Sequence, residues 1–209
     1  MKLTTSAFAD MGPIPERFAF GAKDPGSHVR LSENLNPDLE WSDAPAGTRS
    51  FVLICHDPDV PSRGDDVNQE GRAVPASLPR IDFCHWVLVD IPASESRIER
   101  GALSNGVTAR GKPGPAAAKG MRQGINDYTA WFAGDAQMGG DYHGYDGPCP
   151  PWNDEIAHRY VFTVFALDVA RLAVEGRFTM ADARRAMQGH VLAQAVVTGR
   201  YTLNPAVRL

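Results

Sequence analysis

The sequence has few cysteines, little net charge and no long apolar run, and each shortage excludes a class of protein. Its three cysteines, an odd number with no CxxC pair, form neither a disulfide framework nor a structural zinc site of that kind. A net charge of −4 argues against a dedicated nucleic-acid binder. The longest wholly apolar run, residues 51–55, is too short for a membrane-spanning helix, so we expect no stable membrane insertion. The first ten residues lack the apolar stretch of a secretory signal, and we expect a cytoplasmic protein.

Turn-forming residues, in contrast, are abundant. The 209 residues include 20 glycines and 16 prolines, roughly one residue in six and more than the average protein has. A chain of this length buries enough surface for a real core, and we find neither a repeat nor a linker that would divide it. We therefore predict a single domain over residues 1–209, mainly β with a few helices.

Three apolar segments predict the core strands. They are residues 51–55, 83–89 and 160–167, each bounded by polar or turn-forming residues. We expect shorter strands at 17–20, 29–31 and 201–203, and an exposed loop at 62–80.

The apolar pattern changes after residue 167 and predicts a C-terminal helix over 180–196. Thr179 is suited to be its N-cap, with Asp182 completing a capping box. Apolar residues then recur at helical spacing, at Met180, Ala183, Met187, Val191 and Ala195.

Histidine and aspartate side chains accompany all three core strands, at residues 56–59, 84–85 and 158–160. If the strands are neighbours, these polar groups converge. A buried carboxylate must be paired or hydrogen-bonded, and a histidine is the natural partner. The Gly- and Pro-rich stretch 101–151, long for a segment without periodicity, suggests a functional role as well. The sequence therefore predicts a functional pocket where the strands meet.

These segments resemble the phosphatidylethanolamine-binding protein family, which includes the Raf kinase inhibitor-like proteins. Residues 57–61 match its DPDxP motif, and residues 147–151 followed by His158-Arg159-Tyr160 match its GPxPP…HRY motif. The resemblance extends over about 35–203. Residues 189–192 are similar to the C-terminal helix of its bacterial branch.

The resemblance implies a single domain of mainly β fold that binds a small phosphorylated or anionic group without being an enzyme. No cofactor or metal is implied. A kinase-like protein partner and, in the bacterial branch, a homodimer are further implications. The ligand-binding residues it implies are Asp57, His85, Gly147, Pro148, His158 and Tyr160.

The roles of these residues follow from the family's pocket. Asp57 and His85 are expected together at its floor, where the carboxylate would keep an imidazolium charged for donation to a phosphate oxygen. Tyr160 would add a neutral donor. Backbone N–H groups near Gly147 would form an anion-binding nest, and Pro148 would shape the wall.

The sequence departs from the family pattern in three places. Cys84 stands where the animal branch has a second histidine, and the polar loop 62–82 is longer than expected. The segment 152–157 lacks an expected glycine and adds Asp154 and Glu155, whose charges would oppose a bulky anion at the rim.

The alternative function is a metal-assisted hydrolase using Asp57, His85 and His158, with Asp59 nearby. Two histidines and a carboxylate can bind Zn²⁺, but no HxH or HExxH spacing supports this. Among the cysteines only Cys149 is left as a candidate nucleophile, because Cys84 with His85 and Cys55 with His56 are adjacent on strands and point to opposite faces.

Overall fold

The computed structural model describes residues 1–209 as a mainly β protein. Its strands are β1 (Lys2–Thr4), β2 (Gly21–Asp24), β3 (His28–Leu31), β4 (Leu39–Ser42), β5 (Ser50–Pro61), β6 (Arg80–Pro92), β7 (Arg97–Ile98), β8 (Gly111–Lys112), β9 (Arg122–Gln123), β10 (Asp141–Tyr142), β11 (His158–Leu167) and β12 (Val191–Tyr201). The α-helices are short, α1 (Tyr128–Trp131) and α2 (Met180–Ala186), and 3₁₀ turns cover Glu16–Phe18 and Ala118–Gly120. None of the helices has the length and apolarity needed to cross a membrane.

A five-stranded antiparallel sheet forms the centre, in the order β12-β11-β5-β6-β9. A three-stranded sheet, β1-β4-β7, contributes to the core beside it, while β2-β3 and β10-β8 form two small ribbons. The three strands that the sequence predicted most strongly, β5, β6 and β11, are therefore adjacent, as the convergence of their polar ends requires.

Both faces of the central sheet are buried, which explains the unbroken apolar run in β5. Leu53 and Cys55 point into a cluster of 24 buried residues shared with β4. Val52 and Ile54 point into a cluster of 11 that includes residues of α2. Alternate residues of one strand thus enter different cores, so the run shows no polar alternation.

The predicted helix over 180–196 is wrong beyond its first half. The capping box of Thr179 and Asp182 is present, but α2 ends at Ala186, and Gly189 adopts a left-handed φ of 81°. The chain then enters β12, which forms the outer partner of β11. Val191 and Ala195 have helical spacing, but in the fold their backbone pairs with the free edge of β11, and this pairing decides that the segment is a strand.

Two smaller expectations also need correction. Residues 17–20 do not form a strand: the 3₁₀ turn Glu16–Phe18 follows directly on Pro15. Residues 201–203 are not a separate strand, because Tyr201 is the last residue of β12. The loop 62–80 is mostly exposed, as expected, although Val74 is buried and bridges to Asp154.

Candidate ligand-binding site

A cavity of about 770 Å³ opens beside the ends of β5, β6 and β11. Four of the six predicted site residues line it together: Asp57, His85, His158 and Tyr160. Much of the remaining wall is apolar, formed by Phe20, Val29, Leu31, Val60, Ile81, Phe83, Tyr128, Trp131, Phe132 and Met138. The cavity therefore combines a small polar floor with a large apolar wall, a combination typical of small-molecule sites.

A β-bulge directs His85 toward this cavity. Trp86 pairs with Cys55 and Cys84 pairs with His56, so His85 is the extra residue of β6. Bulges re-aim a side chain at the point where they interrupt a ladder. Cys84 consequently packs in the smaller core while His85 lines the cavity, which agrees with the expectation that the two side chains diverge.

The backbone of Asp146 holds His85 at two points. His85 Nδ1 lies 2.7 Å from the Asp146 carbonyl oxygen, and the Asp146 N–H donates to the His85 carbonyl at 3.1 Å. Burial lowers the pKa of His85 to about 4, although the nearby Asp57 carboxylate acts in the opposite direction. His85 is therefore a neutral imidazole at neutral pH, and the expectation that Asp57 keeps it charged is wrong.

His158 is the histidine that pairs with Asp57. Its Nδ1 lies 2.7 Å from Asp57 Oδ2, and its Nε2 lies 3.1 Å from Asp154 Oδ2. Burial alone would lower the pKa of His158, but the two carboxylates outweigh it and raise the pKa to about 9. Arg80 donates two hydrogen bonds to Asp154 and completes this buried ionic group. His158 is thus a charged, fully paired residue at the edge of the cavity.

The hydroxyl of Tyr160 is buried without a hydrogen-bond partner. Burial raises the pKa of Tyr160 far above its usual range, and the Asp57 carboxylate raises it further. That carboxylate lies near the hydroxyl, although its oxygens accept from the Asp59 N–H and from His158. The Tyr160 hydroxyl is sealed from solvent, so it does not open into the cavity.

Gly147 and Pro148 lie behind the floor rather than in it, and neither lines the cavity. The Gly147 N–H donates to Asn34 Oδ1 at 2.8 Å, so it is not free to form an anion-binding nest. A Cβ at Gly147 would collide with the Phe18 carbonyl oxygen, so only glycine fits at this position. The Pro148 carbonyl accepts from two N–H groups, those of Phe20 and Gly21.

The longer loop 62–82 supplies one wall of the cavity, including Arg63, Val67 and Asn68. Asn153 anchors this loop by donating to the carbonyl oxygens of Asp66, Gln69 and Arg72. The Asp154 carboxylate forms ion pairs with Arg80 and His158, and the Glu155 carboxylate accepts a hydrogen bond from the Ala76 N–H. Neither carboxylate lines the cavity, so the expectation that Asp154 and Glu155 oppose an anion at its rim is wrong.

The apolar wall around α1 was not found by the sequence reasoning. The Asp127 N–H donates to the Cys84 carbonyl, and Asp127 Oδ2 accepts from the Cys84 N–H at 2.6 Å, which fixes α1 next to the bulge. Tyr128 and Trp131 thereby reach the cavity. Trp131 is 57% exposed, although a tryptophan is more often a core residue. Only the Gly- and Pro-rich composition of 101–151 indicated that this stretch has a function.

The side chains do not favour metal binding or thiol chemistry. No group of three or more His, Cys, Asp or Glu side chains is arranged to hold a metal ion. Both ring nitrogens of His158, one of the three ligands that the hydrolase alternative requires, are bonded to carboxylates. Cys149 lines the cavity, but burial raises the pKa of its thiol to about 12, which keeps it protonated.

Proteins of similar sequence and fold are found in bacteria and archaea. A UPF0098 protein of Methanothermobacter thermautotrophicus is 32% identical over 96% of this chain and 98% of its own length. The UPF0098 protein YbhB of Escherichia coli is 29% identical over 97% of this chain and its own full length. A crystal structure of a phosphatidylethanolamine-binding protein homologue from Chlamydia trachomatis has a TM-score of 0.63 and 28% identity, covering 96% of this chain and 95% of that one.

The family model described as phosphatidylethanolamine-binding protein matches residues 4–202, nearly the whole chain. The two motifs of the family, at residues 57–61 and at 147–151 with 158–160, contribute residues to the lining of the cavity. The chain belongs to the phosphatidylethanolamine-binding protein family.

Proposed function

We propose that this protein is a non-enzymatic binding protein that holds a small phosphorylated or anionic group on the floor of the cavity. The single observation that carries the proposal is one unused polar atom there, His85 Nε2. It has no partner in the protein and is not sealed from solvent, whereas Asp57 and His158 are fully bonded. Buried polar groups in native proteins are nearly always bonded, so an unused one beside an open cavity indicates a ligand.

The apolar wall supports a ligand that also has an apolar body. Phe83 and Tyr128 contact the His85 ring edge-on or tilted, and Phe132 stacks on Tyr128. Three of the most exposed large apolar side chains, Leu31, Ile81 and Trp131, lie at this cavity. Exposed apolar residues grouped at one opening are typical of a binding site. An aryl or alkyl phosphate fits both the floor and the wall.

Calorimetric titration with phenyl phosphate tests this proposal. We expect saturable binding to the wild type and at least a tenfold loss of affinity in His85→Ala, because the variant removes a hydrogen-bond partner of the head group. His190→Ala is the matched control, since His190 is exposed and pairs with Asp168 away from the cavity. Equal affinity in His85→Ala and the wild type would contradict the assignment.

The family resemblance also suggests a kinase-like protein partner and a homodimer, and both stay predictions. The five-stranded sheet ends at β12, whose exposed side chains include Val191, Leu192 and Val196. A shift in sedimentation between the wild type and Val196→Lys would show that this edge is where two copies meet.

A further inference from the structure

The hydrogen bonding of His85 defines which of its ring nitrogens can meet a ligand. A carbonyl oxygen can only accept, so Nδ1, 2.7 Å from the Asp146 carbonyl oxygen, carries the proton of the neutral ring. His85 Nε2 is then an acceptor with a lone pair. It has no partner in the protein, and it is not among the buried atoms sealed from solvent. The cavity floor therefore presents an acceptor where the family resemblance predicted a cationic donor.

This tautomer is held firmly because the Asp146 carbonyl cannot turn away. The side chain of Asp146 is fully buried and accepts hydrogen bonds from Asn34 at 2.7 Å and Asn126 at 2.8 Å. Lys112 lies 3.0 Å from the same carboxylate and also donates to the Tyr145 carbonyl. A network with every member bonded fixes the backbone at Asp146 and, through it, the His85 ring.

Burial outweighs the charged groups around the ring: Asp57 favours protonation of His85, whereas His158 and His56 oppose it. Those that face it are Asp57 and His56 from β5, His158 and Tyr160 from β11, Tyr128 from α1, and the Asp146 backbone. The charge of Asp57 is engaged by His158, and His56 pairs instead with Asp82 at 2.8 Å. Burial dominates, and the pKa of His85 falls to about 4.

The cavity also has little cationic charge to offer a dianion. Its acidic lining residues are Asp57, Asp82 and Asp127. Its positive groups are His158, already bonded to two carboxylates, and Arg63, an exposed loop residue near Asp65. A second negative charge on a head group would therefore lie near carboxylates without a free cation to compensate it.

We propose, building on the function proposed above, that the head group enters carrying a proton, as the monoanion of a phosphomonoester. Its P–OH donates to His85 Nε2, so the unpaired acceptor on the cavity floor meets the single donor of the head group. A phosphodiester, as in a phospholipid head group, has no P–OH and leaves Nε2 unpaired unless another part of the ligand donates to it.

The proposal predicts that pH dependence follows the ionisation of the ligand. The second pKa of a phosphomonoester is about 6, and above it the affinity should fall about tenfold per pH unit because one proton must be taken up. Phenyl phosphate and phenylphosphonate, whose second pKa is higher, are titrated by calorimetry between pH 5 and pH 8.5. We expect the phosphonate curve to be displaced to higher pH by the difference between the two ligand pKa values.

A matched diester and a variant of His85 sharpen the test. Methyl phenyl phosphate, the matched diester, should bind at least tenfold more weakly than phenyl phosphate at pH 5.5, with an affinity that hardly changes up to pH 8.5. In His85→Gln, whose amide both donates and accepts, the pH dependence should flatten.

The outcomes separate this inference from the proposed function. If phenyl phosphate and phenylphosphonate lose affinity at the same pH, a group of the protein titrates, and the inference is overturned while the binding function stands. Equal affinity for methyl phenyl phosphate and phenyl phosphate at pH 5.5 would likewise overturn the inference and leave the binding function standing. No saturable binding of any of the three probes at pH 5.5 would overturn the binding function and the inference with it.

Discussion

Two buried histidines border one cavity in this protein, and their surroundings are opposite. His158 lies between two carboxylates, both its ring nitrogens are bonded, and its pKa is raised to about 9. His85 has one bond, to a backbone carbonyl, and its pKa is lowered to about 4. The comparison teaches that burial does not by itself distinguish a structural histidine from a ligand-binding one. What distinguishes them is whether every ring nitrogen already has a partner inside the protein.

The largest loss of stability should come from removing a carboxylate partner of His158. Asp57→Ala leaves a buried imidazolium without one of its two carboxylates and the Asp59 N–H without its acceptor. Removing one member of a buried ion pair costs about 3–5 kcal/mol, and we expect a loss of that size in the free energy of unfolding from urea denaturation.

The matched control for this variant is Arg159→Ala. Arg159, next to His158, donates from Nε and Nη2 to the Asp59 carboxylate at 2.9 and 2.7 Å, and its side chain is 51% exposed. Water screens the guanidinium, so loss of this pair should cost less than loss of the buried Asp57–His158 pair. If the two variants were equally stable, the buried pair would not have the structural role assigned to it.

The second prediction uses pH to separate the two histidines. The raised pKa of His158 contributes stability below its unfolded value of 6.5, which is lost as the pH rises toward about 9. The lowered pKa of His85 has the reverse sign, so stability is lost as the pH falls from 6.5 toward about 4. Urea midpoints should therefore be highest near pH 6.5. In His85→Gln the decline between pH 6.5 and pH 4.5 should shrink, and an unchanged decline would show that His85 is not buried in its neutral form.

A smaller effect on stability is expected from His85→Gln at neutral pH. The substitution removes one hydrogen bond to a carbonyl, worth about 0.5–1.5 kcal/mol, and no buried charge is left behind. Thermal melts should show a loss well below that of Asp57→Ala. A loss as large as that of Asp57→Ala would mean that His85 is a structural residue like His158.

The smallest effect on stability should come from Trp131→Ala. Its side chain is largely exposed at the cavity, so the free energy of unfolding should change by less than about 0.5 kcal/mol. The affinity for phenyl phosphate should fall while that for inorganic phosphate stays the same, because only the former has an apolar body. A calorimetric comparison of the two ligands measures this, and equal losses for both would remove Trp131 from the apolar wall.

The sequence predicted the parts of this fold that depend on local composition. The core strands can be recognised in the sequence because both faces of the sheet are buried there. Val52 faces one core and Leu53 the other, so consecutive residues must all be apolar. The helix prediction failed at Val191 because the pairing of β12 with β11 is a long-range contact that spacing does not record. The charge of His85 was misassigned for a similar reason: its pKa depends on burial and on Asp146, which lies 61 positions away.

What the sequence alone determined is that polar groups at 56–59, 84–85 and 158–160 adjoin apolar strands, together with motifs that the family shares. Only the tertiary structure decided that Asp57 pairs with His158, that a bulge turns His85 into the cavity, and that Gly147 supports the floor from behind. The reason is physical. Strand propensity and turn formation act between neighbours in the chain, whereas the pairing of a buried charge and the protonation of a buried ring depend on atoms brought together by folding.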